Sequence, residues 1–310
     1  MTSLPPRVAI LLPTFNGEKY LAEQLDSLIG QSYENRIIVT RDDGSTDSTI
    51  EVISSYQAKF PDTFHSIENK GSNLGASSSF AFLMKYVLAH KKDLGLEKAY
   101  MMFCDQDDIW AEKKVELEMQ GMETAEKNYE DIPVLVHSDL RVVSDSGELI
   151  AESFMHYQGL EPGKNKLRQI LYCNLVTGCT ALINEPLAEQ SLPIPETAVM
   201  HDWWLALVAS AFGKLVLIHQ PLVHYRQHPS NTLGAIEKAR HRSLKDILFN
   251  IHKMKPVPLY YDLAMQAKAF SMRYHTRLSA GQKLAIKITS SMSTRWGIAQ
   301  RVFFRLGRRL

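Results

Sequence analysis

The sequence is poor in cysteine, lacks long apolar runs and contains no internal repeat or low-complexity tract. Its three cysteines, Cys104, Cys173 and Cys179, are odd in number and do not have the spacing of a zinc site. No signal peptide is recognised before Pro5, so a reducing, cytoplasmic location is expected. No uninterrupted stretch of about 18 apolar residues is found, and a segment that spans a bilayer is therefore not expected.

The composition is that of a globular protein. Its 310 residues are 45% hydrophobic and 22% charged, which is sufficient for one large domain or for one domain with an appendage. The net charge of +1 conceals an asymmetry. Residues 235–310 contain 16 Lys and Arg against three acids, or +13, so residues 1–234 contain 19 Lys and Arg against 31 acids, or −12. The two parts are expected to face different partners.

Hydrophobic periodicity predicts an α/β fold. From residue 7 onward, short apolar runs alternate with longer amphipathic segments, as in strands and helices wound into a mainly parallel sheet. The predicted strands are Val8–Leu12, Arg36–Thr40, Thr63–Glu68, Ala99–Phe103, Pro133–Ser138 and Lys214–His219, with mixed directions after residue 133. The predicted helices are Glu18–Gly30, Ser48–Phe60, Gly75–His90 and Asp202–Phe212. Beyond residue 240 two helical apolar stripes are predicted, at Leu244, Ile247, Leu248, Ile251 and Met254 and at Ile298, Val302, Phe303 and Leu306.

Polar segments follow three of the predicted strands. Pro13-Thr14-Phe15-Asn16-Gly17 follows the first strand, and Asp42-Asp43-Gly44-Ser45-Thr46-Asp47 follows the second. Asp105-Gln106-Asp107-Asp108 comes after Ala99–Phe103. In open α/β sheets ligands bind at the carboxyl ends of the strands. The three segments are therefore expected to face one crevice.

The acidic segment is the densest chemical signal. Carboxylates so close together raise one another's pKa unless a cation or hydrogen-bond donors offset the charge. Mg²⁺ and Mn²⁺ prefer carboxylate, phosphate and water oxygens, and one or two carboxylates suffice when a substrate diphosphate completes the coordination shell. The pattern indicates a divalent metal site, with an exposed acidic loop as the alternative.

These three segments resemble those of the family 2 glycosyltransferases of GT-A fold. The string Asp-Gln-Asp-Asp-Ile-Trp at 105–110 is similar to that of the rhamnosyltransferase-like branch, which uses dTDP-L-rhamnose. The resemblance covers about residues 6–230. It implies a Rossmann-like mixed sheet flanked by helices in residues 1–235, followed by a basic helical appendage in residues 236–310. It also implies a dTDP- or UDP-sugar donor and Mg²⁺ or Mn²⁺ as the cofactor.

The resemblance assigns roles to individual residues. Those implied to contact the nucleotide sugar are Pro13, Thr14, Asn16, Asp43, Asn73, Asp105 and Arg226. Within this set Asp43 would contact the base and Arg226 a phosphate. The implied metal ligands are Asp107, Asp105 and His228. Each assignment has a structural alternative, namely helix capping in the Asp42–Ser48 segment, a plain turn at Asn73 and an ordinary surface position for His228.

Asp202 stands at the start of a predicted helix, where members of the family keep an acidic general base. An inverting transfer needs one carboxylate beside the acceptor hydroxyl to take its proton. The alternative is helix capping, with the neighbouring tryptophans in the core. Because helix amides stabilise the anion, Asp202 is expected to have a low pKa and to be a modest base, so that the metal carries much of the catalysis.

The segment Asn174–Thr180 resembles the part of the family that lines the donor sugar and the acceptor. Thr177 is a candidate for hydrogen bonding to a sugar, and Gly178 allows close backbone approach. A buried strand with a bulge is the alternative. The candidates for an apolar surface beneath a sugar ring are Trp110, Trp203 and Trp204, although aromatic residues in a core need no such role.

The basic region combines cations with apolar helical stripes. Such helices lie in membrane interfaces, with cations at anionic head groups and apolar side chains below them. We therefore expect an anionic membrane surface and a lipid-linked saccharide as partners, and a peripheral location on the inner face of the cell membrane. A solvated appendage, a basic surface that pairs with the acidic part and a homo-oligomer contact are alternatives. No nucleic-acid-binding motif is found.

The sequence thus predicts an inverting, metal-dependent glycosyltransferase that moves L-rhamnose to a saccharide or lipid-linked saccharide in surface polysaccharide synthesis, as for an O-antigen. Single additions are expected because the Gln-x-x-Arg-Trp signature and the membrane spans of processive synthases are absent. Two alternatives stay open. A nucleotidyltransferase would need a basic, glycine-rich motif that Pro13–Gly17 lacks, and a non-catalytic saccharide- or membrane-binding scaffold would share the fold.

Overall fold

One mixed sheet forms the centre of the fold in the computed structural model, which describes residues 5–69, 73–129, 131–228, 257–294 and 296–309. The strands are β1 Val8–Thr14, β2 Arg36–Asp42, β3 Phe64–Ile67, β4 Tyr100–Phe103, β5 Ile109–Trp110, β6 Val134–Val143, β7 Leu149–Ala151, β8 Ala181–Ile183 and β9 Lys214–Arg226. Their order is β3-β2-β1-β4-β8-β6-β9-β5, and β7 pairs with β6. The pairs among β1 to β4 are parallel, whereas β8 runs antiparallel to β4 and β6.

Helices cover both faces of the sheet. They are α1 Leu21–Ile29, α2 Thr49–Lys59, α3 Ala76–Ala89, α4 Lys114–Asn128, α5 Phe154–Gln158, α6 Leu167–Ile170, α7 Glu185–Ser191, α8 His201–Phe212, α9 Pro258–Tyr274, α10 Ala280–Ser290 and α11 Gly297–Arg309. Short 3-10 helices lie at Gly178–Thr180 and Ser291–Ser293. Among the described helices, none combines the length and the hydropathy that crossing a bilayer requires.

The central strand β1 shows how the sequence produces this layered arrangement. Its residues Val8, Ala9, Ile10, Leu11 and Leu12 are all fully buried. Successive side chains of a strand point to opposite faces of the sheet. Ala9 and Leu11 therefore enter the core formed with α3 and α8, whereas the other three enter the core formed with α1 and α4. A strand that is apolar on both faces is typical of a sheet covered by helices on both sides.

The C-terminal helices share one of these two cores. Leu263, Ala267 and Phe270 of α9 belong to the same buried cluster as Trp204 of α8. The rings of Trp204 and Phe270 meet edge-on, with centroids 5.5 Å apart. The described residues from 257 onward are therefore packed against the α/β part of the molecule.

The predicted fold class, an α/β mixed sheet flanked by helices, is confirmed. The sheet is parallel from β3 to β4 and mixed beyond, as the sequence predicts. The sequence did not reveal α4 or the short strands β5, β7 and β8. β9 continues to Arg226, past the predicted end at His219, with register shifts against β6. The predicted stripe from Leu244 to Met254 lies outside the described residues.

Candidate active site

A cavity of about 290 Å³ opens at the carboxyl ends of β1, β2 and β4. β1 pairs in parallel register with β2 and β4, so the loops that follow the three strands meet at one edge of the sheet. Another wall comes from the start of the 3-10 helix that precedes β8 and from the start of α8. The lining residues are Pro13, Thr14, Phe15, Asp43, Asn73, Gly75, Ala76, Ser79, Phe80, Asp105, Gln106, Asp107, Thr177, Gly178, Met200, His201, Asp202 and Tyr225.

Gln106 holds the loop after β1 against the acidic segment. Its Oε1 accepts a hydrogen bond from the Phe15 N–H at 2.8 Å, and its Nε2 donates one to the Phe15 carbonyl oxygen at 2.9 Å. Gly17 leaves room for this amide, because a Cβ at position 17 would lie 2.6 Å from Gln106 Cδ. Asn16 adopts a left-handed backbone conformation and accepts a hydrogen bond from the Thr46 N–H, but it does not line the cavity.

Asp43, the residue implied to contact the base, lies in the cavity wall but already has partners within the protein. It is buried and forms an ion pair with Arg41. Its Oδ2 accepts hydrogen bonds from the backbone N–H groups of Leu74 and Gly75 at 3.0 and 2.9 Å. Asn73 lines the cavity and accepts a hydrogen bond from the Gly75 N–H at 3.0 Å. In this arrangement Asp43 joins the loop after β2 to the start of α3.

Besides Asp43, three carboxylates line the cavity, those of Asp105, Asp107 and Asp202. Burial, together with the negative charges of Asp107 and Asp202, raises the pKa of Asp105 to about 7. Nε2 of His228 lies 2.8 Å from Oδ2 of Asp107, which is a hydrogen-bond distance, so these two side chains are already partners of each other. Adjacent ligand atoms around a cation bound at about 2.1 Å are about 3 Å apart, so these two atoms have the spacing of neighbours in one coordination shell. The grouping of like charges fits a divalent cation.

A second group of donor atoms lies next to the first. Ligand atoms of Asp105, Asp108 and Cys179 lie within 4.8 Å of one another, the one such group of three found in the described part of the chain. Asp108 and Cys179 are fully buried, and burial raises the pKa of both well above the ordinary values. A thiol is a soft ligand that suits Mg²⁺ or Mn²⁺ poorly. Asp108 also accepts a hydrogen bond from the Arg226 N–H at 3.2 Å, which fixes the end of β9 beneath the acidic segment.

Asp202 lies in the first turn of α8, with its carboxylate at the cavity. Its Oδ1 accepts a hydrogen bond from the Trp203 N–H at 2.6 Å, and the Gly178 amide and the Asn174 side chain donate further hydrogen bonds. Burial outweighs these donors and raises the pKa of Asp202 to about 7. The prediction of a low pKa was wrong, because it included the helix amides and omitted the loss of hydration. A pKa near 7 suits a general base at neutral pH.

His201 forms an apolar part of the wall beside Asp202. Its ring lies close to those of Phe80 and Phe103, with centroids 4.3 and 5.2 Å away. Burial lowers the pKa of His201 to about 3, so the ring is neutral. Gly178 passes directly beside it, because a Cβ there would lie 3.1 Å from Nε2 of His201. The close approach that glycine allows at position 178 is thus between its backbone and the His201 ring of α8.

The three tryptophans considered for a sugar-stacking surface do not line the cavity. Trp203 and Trp204 donate their indole N–H groups to the backbone carbonyl oxygens of Ile170 and Ser191. Trp110 is buried among core residues. We therefore correct this prediction: these side chains belong to the core, because their large apolar area is covered by neighbouring helices. The rings that line the cavity are those of Phe15, Phe80, His201 and Tyr225.

Arg226 faces the protein and not the cavity. Its Nε donates to the Asp107 carbonyl oxygen at 3.1 Å and its Nη1 to the Asp145 carbonyl oxygen at 2.9 Å, while Nη2 pairs with Glu23. The guanidinium therefore stabilises the acidic segment through the backbone of Asp107, and it does not line the cavity. Contact with a phosphate, as the sequence predicts, would require a different arrangement of this side chain.

Several cavity residues were not identified from the sequence. Gln106 stands inside the acidic string, where only the charged residues were considered. Phe80 has the helical spacing of a core residue, and no periodicity distinguishes the wall of a cavity from a core. The remaining unidentified lining residues include Ser79, Met200 and Tyr225.

The sequence-family model of glycosyl transferase family 2 matches residues 9–185 of the chain. The chain belongs to this family. It is 27% identical over 227 residues to the dTDP-rhamnosyl transferase RfbG of Shigella flexneri, an alignment that covers 72% of this chain and 74% of RfbG. An uncharacterized glycosyltransferase of Haemophilus influenzae is 33% identical over 122 residues, or 38% of this chain and 42% of that protein. The glycosyltransferase prediction is confirmed over the nucleotidyltransferase alternative.

Solved structures with the same fold are also glycosyltransferases. S. aureus TarS 1–349 in complex with UDP-GlcNAc matches with a TM-score of 0.61 at 14% identity, over 92% of this chain and 72% of that one. The mannosyltransferase PcManGT from Pyrobaculum calidifontis, in complex with GDP-Man and Mn²⁺, matches with a TM-score of 0.53 at 14% identity, over 99% of this chain and 88% of that one. The fold of this family 2 glycosyltransferase is therefore the GT-A type.

Proposed function

We propose that this family 2 glycosyltransferase is an inverting, divalent-cation-dependent enzyme that transfers L-rhamnose from dTDP-L-rhamnose to a saccharide or lipid-linked saccharide of a surface polysaccharide. The observation that carries the proposal is the convergence of Asp105, Asp107 and Asp202 on one cavity at the carboxyl ends of the parallel strands. The rhamnosyl donor is supported by the similarity to RfbG, which is named a dTDP-rhamnosyl transferase.

The proposed cation is Mg²⁺ or Mn²⁺, held by Asp107 with Asp105 and His228. When bound, it would neutralise the negative charge that grows on the departing diphosphate. The ligand spacing between Asp107 and His228 and the mutual repulsion within the carboxylate group support this assignment. The structure of PcManGT in complex with GDP-Man and Mn²⁺ shows that a protein of similar fold binds a nucleotide sugar together with a divalent cation.

Asp202 is the proposed general base. Its carboxylate takes the proton of the acceptor hydroxyl while the acceptor oxygen forms a bond to the anomeric carbon. On the opposite side of that carbon, the bond to the diphosphate oxygen breaks, which inverts the configuration. The hydrogen bonds from Trp203 and Gly178 hold the carboxylate in place for this transfer. With a pKa near 7, an appreciable fraction of Asp202 is ionised at neutral pH.

Thermal unfolding in the presence of candidate donors tests the donor and the metal together. A ligand that binds only the folded state at a hundred times its Kd stabilises that state by about 2.7 kcal/mol. We expect the largest Mn²⁺-dependent stabilisation with dTDP-L-rhamnose, and expect Asp107→Ala to remove it. Glu148→Ala, at an exposed acid outside the cavity, is the matched control. Equal stabilisation of Asp107→Ala and the wild type would exclude Asp107 as a ligand.

Asp202→Asn tests the base. The amide keeps the shape of the side chain but cannot accept the proton, so we expect unchanged donor-dependent stabilisation and transfer slowed by about 10² or more. Release of dTDP, with no pyrophosphate, is the expected product signal. Transfer at the wild-type rate in this variant would remove Asp202 from the mechanism and leave donor binding unaffected.

The proposed acceptor is lipid-linked because the C-terminal region is strongly basic, with 16 Lys and Arg against three acids in residues 235–310. An anionic membrane surface would attract such a region and bring the enzyme to a lipid-anchored substrate. Comparison of initial rates on a lipid-linked and a water-soluble form of one acceptor saccharide, each with anionic vesicles present, tests this assignment. Equal rates on the two forms would contradict it.

A further inference from the structure

α11 packs on the core through only one of its sides. The ring of Phe304 stacks on that of Tyr260, with centroids 4.4 Å apart, and meets the ring of Tyr172 edge-on at 5.5 Å. Gly307 is buried against Tyr172, because a Cβ there would lie 2.6 Å from Cε2 of that ring. Phe303 is partly buried against the same core. The inner side of α11 is thus packed against the core.

The outer side of α11 carries a second line of apolar residues. Ile298, Val302 and Leu306 are spaced by four positions, so they lie along one side of the helix, and they are 45%, 49% and 51% exposed. Trp296, just before the helix, is 78% exposed, and Arg305 is exposed beside Leu306. The structure thereby divides the predicted stripe, which combined these three aliphatic residues with Phe303.

Charge indicates what covers this face. Residues 257–310 contain ten Lys and Arg and one acid, Asp262, so the C-terminal part of the chain that includes α11 is strongly cationic. A stable protein interface buries about 800 Å² on each partner, more than one line of side chains along about 12 Å of helix supplies. A helix that lies in a membrane interface needs only an apolar line with cations beside it.

We propose that the outer face of α11, formed by Trp296, Ile298, Val302, Arg305 and Leu306, binds an anionic lipid surface. The helix lies parallel to the membrane, with the apolar side chains in the acyl boundary and the cations at head-group level. The inference deepens the proposed function and rests on it for the lipid-linked acceptor. α11 contacts Tyr172, which lies five residues before Thr177 of the cavity wall. The short segment 172–177 therefore connects a membrane-bound α11 with the active site.

Flotation of the full chain with vesicles tests the proposal. We expect binding to vesicles of phosphatidylcholine and phosphatidylglycerol, weaker binding to phosphatidylcholine alone, and a decrease as salt screens the charges. Replacement of Ile298, Val302 and Leu306 together by Ser is expected to weaken binding about a hundredfold, since each half-exposed side chain contributes roughly a fivefold effect. The matched control replaces Leu149 and Ile150 by Ser, since these are also about half exposed but lie on β7, and unchanged binding is expected.

Wild-type flotation of the triple variant would overturn the proposal. So would a wild type that does not float but sediments as a dimer that the triple substitution dissociates, because the face would then be an interface between two copies. Failure of lipid binding is distinguishable from failure of the proposed function. Donor-dependent thermal stabilisation, measured on the same variants without vesicles, reports on the active site alone and is expected to remain at the wild-type level.

Discussion

A single methyl group at position 17 is expected to weaken donor binding. In Gly17→Ala the new Cβ would lie 2.6 Å from Gln106 Cδ, which is far inside van der Waals contact. The backbone of Gly17 is not left-handed, so alanine adds this overlap without a conformational penalty. The flexible Gln106 side chain must then move, and it loses the hydrogen bonds at 2.8 and 2.9 Å that fix Phe15 at the cavity.

The magnitude follows from the two lost bonds. Each is neutral and partly exposed, so each contributes about 0.5–1 kcal/mol net, or about 1–2 kcal/mol together. The expected result is a nucleoside diphosphate affinity about 5- to 30-fold weaker, measured by calorimetry with dTDP and Mn²⁺, and a higher KM with a smaller change in kcat. Gly163→Ala, where an added Cβ meets nothing within 4 Å, is the control.

A double-mutant cycle isolates the cause. Gln106→Ala removes the same two hydrogen bonds, so it is expected to weaken dTDP binding by a similar factor. In that background Gly17→Ala has no amide to displace, and we expect a further change of less than about twofold. Additive losses in the double variant would refute the assigned role of Gln106, because the methyl group would then be acting on some other contact.

Two further predictions concern stability. Burial lowers the pKa of His137 to about 4, so the unfolded state takes up a proton at a higher pH than the folded state does, and stability is lost as pH falls from 6.5 toward 4. The free energy of unfolding of the wild type relative to that of His137→Gln is expected to drop by about 2 kcal/mol between pH 7 and pH 5, as measured by urea titration. A difference that stays constant over this pH range would contradict the prediction. Gly307→Ala should destabilise the fold by about 1–3 kcal/mol through overlap with the rigid ring of Tyr172, whereas Gly281→Ala, in open space on α10, should be neutral in the same thermal unfolding assay.

The general position of the site followed from the sequence because chain order and strand direction determine it. Short buried strands with alternating helices specify a parallel sheet, and the carboxyl ends of parallel strands lie at one edge. The segments at Pro13, Asp43 and Asp105 are close in space for that reason alone. The acidic string needed no tertiary information either, since its three carboxylates are neighbours along the chain.

Individual roles within the site did not follow from the sequence, because they depend on which groups share a partner and on how much water is excluded. Asp202 illustrates this, since its position at a helix start predicts a low pKa, whereas burial raises the value to about 7. Arg226 pairs with backbone oxygens that lie up to 119 residues away along the chain. No local pattern encodes such contacts.

The sequence alone determined the fold class, the family resemblance and the acidic segment, because these depend on periodicity and on residues adjacent in the chain. Only the tertiary structure placed the tryptophans in the core, tied Gln106 to Phe15 and divided the apolar residues of α11 between an inner and an outer face. Both faces of a helix can be apolar in sequence, but only packing decides which one the core covers, since burial is a property of neighbours that the chain brings together from a distance.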